Sequence, residues 1–192
     1  MTPPRYANTL HALGHDLAGR EHGLSVHWVI GEVTEARRLH AIMAASQPAI
    51  VFHAAAHTHV PLMALHPCAA VQHHVGGTRT VAEAAARFRA ERFMLISTDK
   101  AVHPSSVMGA TRRVAELLVQ RLAQSSQTRC VVVRFGHVLG SNGSVVPRFL
   151  EHIRAGGPVT VTPPEVQRSC MLIPEAVPLV LQAVALGHSG AV

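Results

Sequence analysis

The stretch STDKAVHPSSVMGATRR, residues 97–113, sets Asp99 beside Lys100. The chain holds 16 arginines but this single lysine, and Asp99 is one of only two aspartates. Arginine stays protonated in a protein, whereas an amine can give up its proton. A base that removes a proton from carbon needs high proton affinity and must be neutral when it acts. Lysine starts near a pKa of about 10.4 and is lowered by desolvation or a neighbouring cation. The carboxyl beside it would have to be protonated to act as the partner acid, so the two would exchange roles through a shared environment. Taken alone, the two residues read more simply as an exposed ion pair at a strand end.

Other side chains offer less. Fifteen histidines include His57-x-His59 and His73-His74, but no third ligand follows at zinc-like spacing, so no metal site is expected. Cys68, Cys130 and Cys170 are odd in number and far apart, which fits a reducing compartment and neither a disulfide framework nor zinc. The formal charge is +6, yet the arginines are scattered and only seven aromatics are present. That argues against a nucleic-acid groove and leaves an anionic small molecule such as a nucleotide as the partner of the charge. No apolar run approaches the roughly 20 residues of a membrane span. The N-terminus MTPPRYANTLHALGHDLAG lacks the apolar centre of a signal peptide, so a soluble cytoplasmic protein is expected.

Short β-branched or aromatic runs predict strands at 25–31 (SVHWVIG), 49–56 (AIVFHAAA), 92–98 (RFMLIST) and 130–136 (CVVVRFG). Helical spacing of apolar residues predicts helices over 34–46, 66–90 and 106–124. Strands alternating with helices imply an α/β fold with a parallel sheet. Beyond residue 136, Gly, Pro and Ser predominate in GSNGSVVPRF and RAGGPVTVTPPEVQRS, so loops are expected there. A helix returns over 174–187, with Pro174 in its first turn and Gly187 at its C-cap. In HAAA (53–56) the small side chains either let a ligand approach the backbone or simply pack. The first glycines, Gly14, Gly19 and Gly23, follow no strand and lack the spacing of a dinucleotide-binding turn.

Several ordered blocks resemble the extended short-chain dehydrogenase/reductases that act on nucleotide sugars. They are PAIVFHAAAHTHVPLMALHP, STDKAVHPSSVMGATRRVAE, VVRFGHVLGSNGSVVPRF, GGPVTVT and MLIPEAV, running from about Gly31 to the end. The branch they resemble is the polysaccharide-biosynthesis (CapD-like) family, which includes UDP-N-acetylglucosamine 4,6-dehydratases. The resemblance implies a Rossmann-like doubly wound parallel sheet, with a partial NAD(P)-binding domain over 1–136 and part of a nucleotide-sugar-binding region over 137–192. It implies NADP or NAD as cofactor, a UDP-sugar as substrate and a homo-oligomer. Thr98 matches the family's active-site Ser/Thr. Met108 stands at the tyrosine position of the Tyr-x-x-x-Lys pair and Arg112 at the lysine position. Lys100 matches the base that takes the C5 proton and Asp99 the acid that protonates the leaving C6 hydroxyl. Glu32 corresponds to an aspartate near the adenine, and Ala54, Ala55 and Ala56 to the strand end along which the cofactor lies. His137, Ser144, Val145 and Arg168 fall in the substrate-binding blocks. His73, His74, His103 and His137 replace asparagines, of which the one at 74 braces the active site.

Aligned on these blocks, Met1 falls after the family's first strand, its glycine-rich loop and its second strand. The expected sheet therefore lacks its first βαβ unit. Either a central edge stands open, or 25–31 and 49–56 pair directly. Nucleotide-sugar 4,6-dehydration is the first reading of function. C4 epimerisation and a catalytically inactive fragment are the alternatives.

Overall fold

The computed structural model describes residues 25–139, 145–159, 161, 167 and 169–192. The chain divides into two units, Met1–Glu32 and Val33–Val192. In the first, the described residues 25–32 form no helix or strand, which corrects the strand expected over 25–31. An apolar β-branched run becomes a strand only where a neighbour completes its ladder of hydrogen bonds.

The second unit opens with α1 (Ala36–Ser46), which ends where Gln47 turns left-handed at φ 40°. Strand β1 (Ile50–His53) follows, then two short helices, α2 (Val60–Leu65) and α3 (Pro67–Ala70). Each short helix has proline in its first turn, where the missing N–H costs nothing. The chain then winds as a π-helix through Val71–Gly77 before resuming as α4 (Thr78–Arg87). The single helix expected over 66–90 is therefore three segments. Gly76 and Gly77 weaken the regular ladder, and Gly77 lies where a Cβ would meet Val33. Strand β2 (Arg92–Thr98) passes through a 3-10 turn (Asp99–Ala101) towards α5 (Val107–Ser125). Ser106 caps α5, its hydroxyl accepting from the Gly109 N–H at 3.1 Å. Strand β3 (Arg129–Phe135) and a short β4 (His137–Val138) come next. Then follow α6 (Val145–Arg154), β5 (Cys170–Met171) and α7 (Ile173–Leu186). Helix α6 begins within GSNGSVVPRF, expected as loop, and the β4–β5 pair lies just outside the two loop-rich stretches. The helical spacing of VVPRFLEHIR outweighs the glycines before it, and a two-residue strand is too short to show a period.

Strands β1, β2 and β3 form a parallel sheet in that order, with Val51 opposite Phe93, Phe93 opposite Cys130 and Thr98 opposite Phe135. A second sheet joins β4 to β5, His137 opposite Cys170. The middle strand is apolar on both faces because both are covered. Phe93 and Leu95 are fully buried on one face with Val51, Cys130 and Val132, under Val81, Ala84 and Ala85 of α4 and Ala115 and Val119 of α5. Met94 faces the other way with Val131 and packs on Val184 of α7. Burying each of these larger side chains contributes about 1.5–3 kcal/mol. Among the described residues β1 has a strand on one side only. Its Ile50 and Phe52 side chains are exposed. The architecture is α/β with a parallel, Rossmann-like sheet.

Candidate active site

The carboxyl ends of parallel strands leave a crevice where ligands bind in open α/β sheets. Thr98 closes β2 there, with a hydroxyl that accepts from the Lys100 backbone N–H at 3.3 Å and donates to Asp99 Oδ1 at 2.9 Å. The turn Asp99–Ala101 that this cap holds brings Lys100 Nζ to the same Oδ1, also at 2.9 Å. The side chains of Lys100 and Asp99 stay 30% and 45% exposed. Burial pushes the Asp99 carboxyl upward. Hydrogen bonds from Lys100 and Thr98, with the Lys100 charge, outweigh that and hold it below the usual carboxylate range.

Met108 is buried against Met63 and Ala70, filling a small apolar cluster under α2 and α3. Arg112 is only 5% exposed, and its Nη2 donates to the Ile96 carbonyl of β2. Its Nη1 is buried without a partner. Burial lowers the Arg112 pKa, against the opposing charge of Glu116. The cation thus lies beneath the strand end.

Two buried histidines surround it. His53 ends β1 with Nε2 at 3.1 Å from Thr78 Oγ1. His74, delivered by the π-helix, places Nδ1 at 2.8 Å from Thr111 Oγ1 and Nε2 at 3.1 Å from the His57 backbone N. The Thr111 hydroxyl is already directed at the carbonyls of Val107 and Met108, at 2.9 and 3.0 Å. Nε2 also lies 3.0 Å from the His57 carbonyl oxygen, so both ring nitrogens are held, and the tautomer decides which of them donates. Burial first, and the Arg112 charge second, lower both histidines to about 4, so both are neutral at neutral pH. His74 ties the backbone of His57, within the Ala54–His59 segment, to α5 as a bracing amide would, with one donor and one acceptor. Ala54 and Ala55 are exposed and Ala56 half-buried, making a ledge of bare backbone at the end of β1.

Glu116 and its partners are absent from the sequence-level site. Glu116 is fully buried on α5 and accepts from Ser97 Oγ at 2.5 Å. It also accepts from Arg113 Nη1 at 2.9 Å, and from Arg134 Nε and Nη2 at 2.9 and 2.6 Å. Burial raises the Glu116 carboxyl, while the bonds from Arg134, Ser97 and Arg113 pull it below its ordinary value. The signal was present: Glu116 stands one helical turn from both Arg112 and Arg113.

The remaining candidates are more scattered. His137 starts β4, two residues beyond Phe135, the register partner of Thr98. Its backbone N–H donates to the Ser169 carbonyl at 2.9 Å. Val145 begins α6, but its side chain, Ser144 and Arg168 lie outside the described residues. Glu32 ends the other unit, half-buried. Among the described residues no three His, Cys, Asp or Glu side chains are grouped to hold a metal, and no helix is long and apolar enough to cross a membrane.

Known proteins share this arrangement of blocks. The chain is 47% identical over 188 residues to the capsular polysaccharide biosynthesis protein CapD of Staphylococcus aureus, covering 96% of this chain and 31% of CapD. A UDP-glucose 4-epimerase of Rickettsia rickettsii is 38% identical over 143 residues, 73% of this chain and 42% of that protein. The X-ray structure of Pen from Bacillus thuringiensis superposes with a TM-score of 0.83 at 29% identity, covering 92% of this chain and 55% of Pen. The chain thus spans less than a third of the length of CapD. Residues 7–192 match the model of one family throughout, and the chain belongs to the polysaccharide biosynthesis protein family.

Proposed function

We infer that the protein modifies a nucleotide sugar by 4,6-dehydration, with UDP-N-acetylglucosamine as the substrate class. The carrying observation is the 2.9 Å contact between the one lysine and its neighbouring carboxylate at the end of the central strand. In the resting pair the proton sits on Nζ. Moving it to Oδ1 along that contact yields an amine and a carboxylic acid with no change in net charge. These are the two forms that the reaction needs: Lys100 takes the C5 proton and Asp99 protonates the departing C6 hydroxyl. Exclusion of water by a bound substrate weakens the ion pair relative to the neutral pair. Thr98 aims the carboxylate by donating to the same Oδ1.

The donor set also fits a nicotinamide dinucleotide. The Ala54–Ala56 ledge leaves backbone accessible, and the unpartnered Arg112 Nη1 is a buried donor awaiting an acceptor. When bound, that group supplies the oxidation at C4 and the returning reduction at C6. Oxidation at C4 is what acidifies the C5 hydrogen that Lys100 removes. Epimerisation at C4 is the second reading, favoured by the similarity to a protein named UDP-glucose 4-epimerase. It needs neither a C5 base nor a C6 acid, so retention of both Asp99 and Lys100 supports dehydration.

Turnover of UDP-N-acetylglucosamine in deuterated water separates the two. A C5 base that exchanges with solvent leaves deuterium at C5 of a 4-keto-6-deoxy product. Inverted sugar without C5 deuterium would replace dehydration with epimerisation. No conversion with either NAD or NADP would overturn both.

A further inference from the structure

One face of α5 grips the strand end that presents the Asp99–Lys100 pair. Gly109, Arg112 and Glu116 are spaced by three and four residues and so share that face. Gly109 lets the helix lie on the Lys100 carbonyl, where a Cβ would collide. Arg112 Nη2 holds the Ile96 carbonyl, and Glu116 accepts from the Ser97 hydroxyl at 2.5 Å. Thus three of the five residues from 96 to 100 are fixed by one helix.

Glu116 does more than seat the strand. Its carboxylate also takes two bonds from Arg134 of β3, three residues before His137 begins β4. One fully buried group therefore links the strand that leads into Asp99 to the strand that leads into the candidate sugar-nucleotide region. Helix-to-sheet adhesion alone does not call for a carboxylate. Ala115 and Val119 provide it from the same helix, and a buried ion cluster is seldom more stabilising than apolar packing. Short, charge-assisted bonds to two strands instead fix direction and distance.

We propose that Glu116 is a positioning residue: by locking Ser97 to Arg134 it sets where Lys100 Nζ and Asp99 stand relative to a substrate held beyond β3. The substrate half of this statement rests on the dehydratase reading, whereas the placement of Lys100 does not. Because Lys100 is the only lysine, 15N-lysine labelling gives one Nζ resonance, a direct report on the pair. Ser97→Ala removes a single bond to Glu116 and leaves its arginine partners. Glu116→Gln removes the charge that both arginines share.

The expected result is a displaced Nζ resonance in both variants, with far-UV circular dichroism unchanged in Ser97→Ala. Turnover in Ser97→Ala should fall about tenfold in kcat with KM little altered, as for a misplaced reacting group. An Nζ resonance that stays in place in folded Ser97→Ala would overturn the proposal, as would a rise in KM with kcat intact. If Glu116→Gln does not fold, Ser97→Ala decides. If the wild-type protein performs no dehydration, the dehydratase reading fails and the Nζ comparison alone decides the role of Glu116.

Discussion

The two neutral histidines make acid stability a quantitative test of the buried site. His53 and His74 both lie at about 4 in the folded protein, against 6.5 for a free imidazole. The folded value is the depressed one, so the unfolded chain takes up protons first as pH falls. Stability from this source is complete above the unfolded pKa and declines as pH drops from 6.5 towards 4. Each histidine contributes a slope of at most about 1.4 kcal/mol per pH unit, and the two together about 2.7 kcal/mol per unit. Asp99 and Glu116 have lowered pKa values, so their contribution is present above the unfolded carboxylate range and is lost only below it. The interval from about pH 6 to 5 therefore reads the histidines rather than the carboxylates.

Urea unfolding followed by far-UV circular dichroism at several pH values across that interval gives the slope directly. His74→Asn keeps a donor and an acceptor for Thr111 and the His57 backbone but cannot titrate. It should lower the slope by about half, to roughly 1.4 kcal/mol per unit. A wild-type slope near zero, or a slope unchanged in His74→Asn, would refute the assignment of these rings as buried and neutral.

Three further outcomes follow from named contacts. Lys100→Arg should retain the charge beside Asp99 and lose C5 deuterium incorporation, because arginine stays protonated; appreciable exchange measured by mass spectrometry would remove Lys100 from the chemistry. Glu116→Ala leaves Arg113 and Arg134 facing a cavity without their shared anion and should cost about 3–5 kcal/mol in urea unfolding, against near zero for an exposed pair. His103 is exposed with φ 46°, a left-handed backbone that asparagine tolerates better than histidine, so His103→Asn should raise stability by about 0.5 kcal/mol and a loss would count against the strain.

The parts of this fold that follow from local chemistry were legible in sequence. Strand β2 was read to the residue, since its apolar run FMLI is flanked by polar residues. Helix α5 was placed within a residue at each end by its helical spacing of apolar residues. The run SVHWVIG has the same local character as β2 yet forms no strand, for a ladder partner is not a local property. The π-helix escaped for a related reason: it shifts the helical phase, so no spacing in CAAVQHHVGGTRT points to His74 as the buried ring. The Asp99–Lys100 pair was visible from rarity of type. Glu116 was visible only as a neighbour of Arg112 and Arg113 one helical turn away, because its bonds to Ser97 and Arg134 come from two other elements.

That contrast bears on how the site tolerates change. The Asp99–Lys100 pair is partly exposed, and its members hold each other through one contact at 2.9 Å. Exposed pairs of this kind are individually weak, about 0–1 kcal/mol. Such a pair cannot hold its own geometry against side-chain entropy, so its placement must come from backbone. The backbone of 96–100 is fixed by Gly109, Arg112 and Glu116, all buried and all on one helix face. Arginine at 112 is consistent with this division of labour: its long side chain reaches the Ile96 carbonyl and leaves the proposed proton chemistry to Lys100. Substitutions on the buried face should therefore disturb reactivity and stability together, whereas substitutions of Asp99 or Lys100 should disturb reactivity alone.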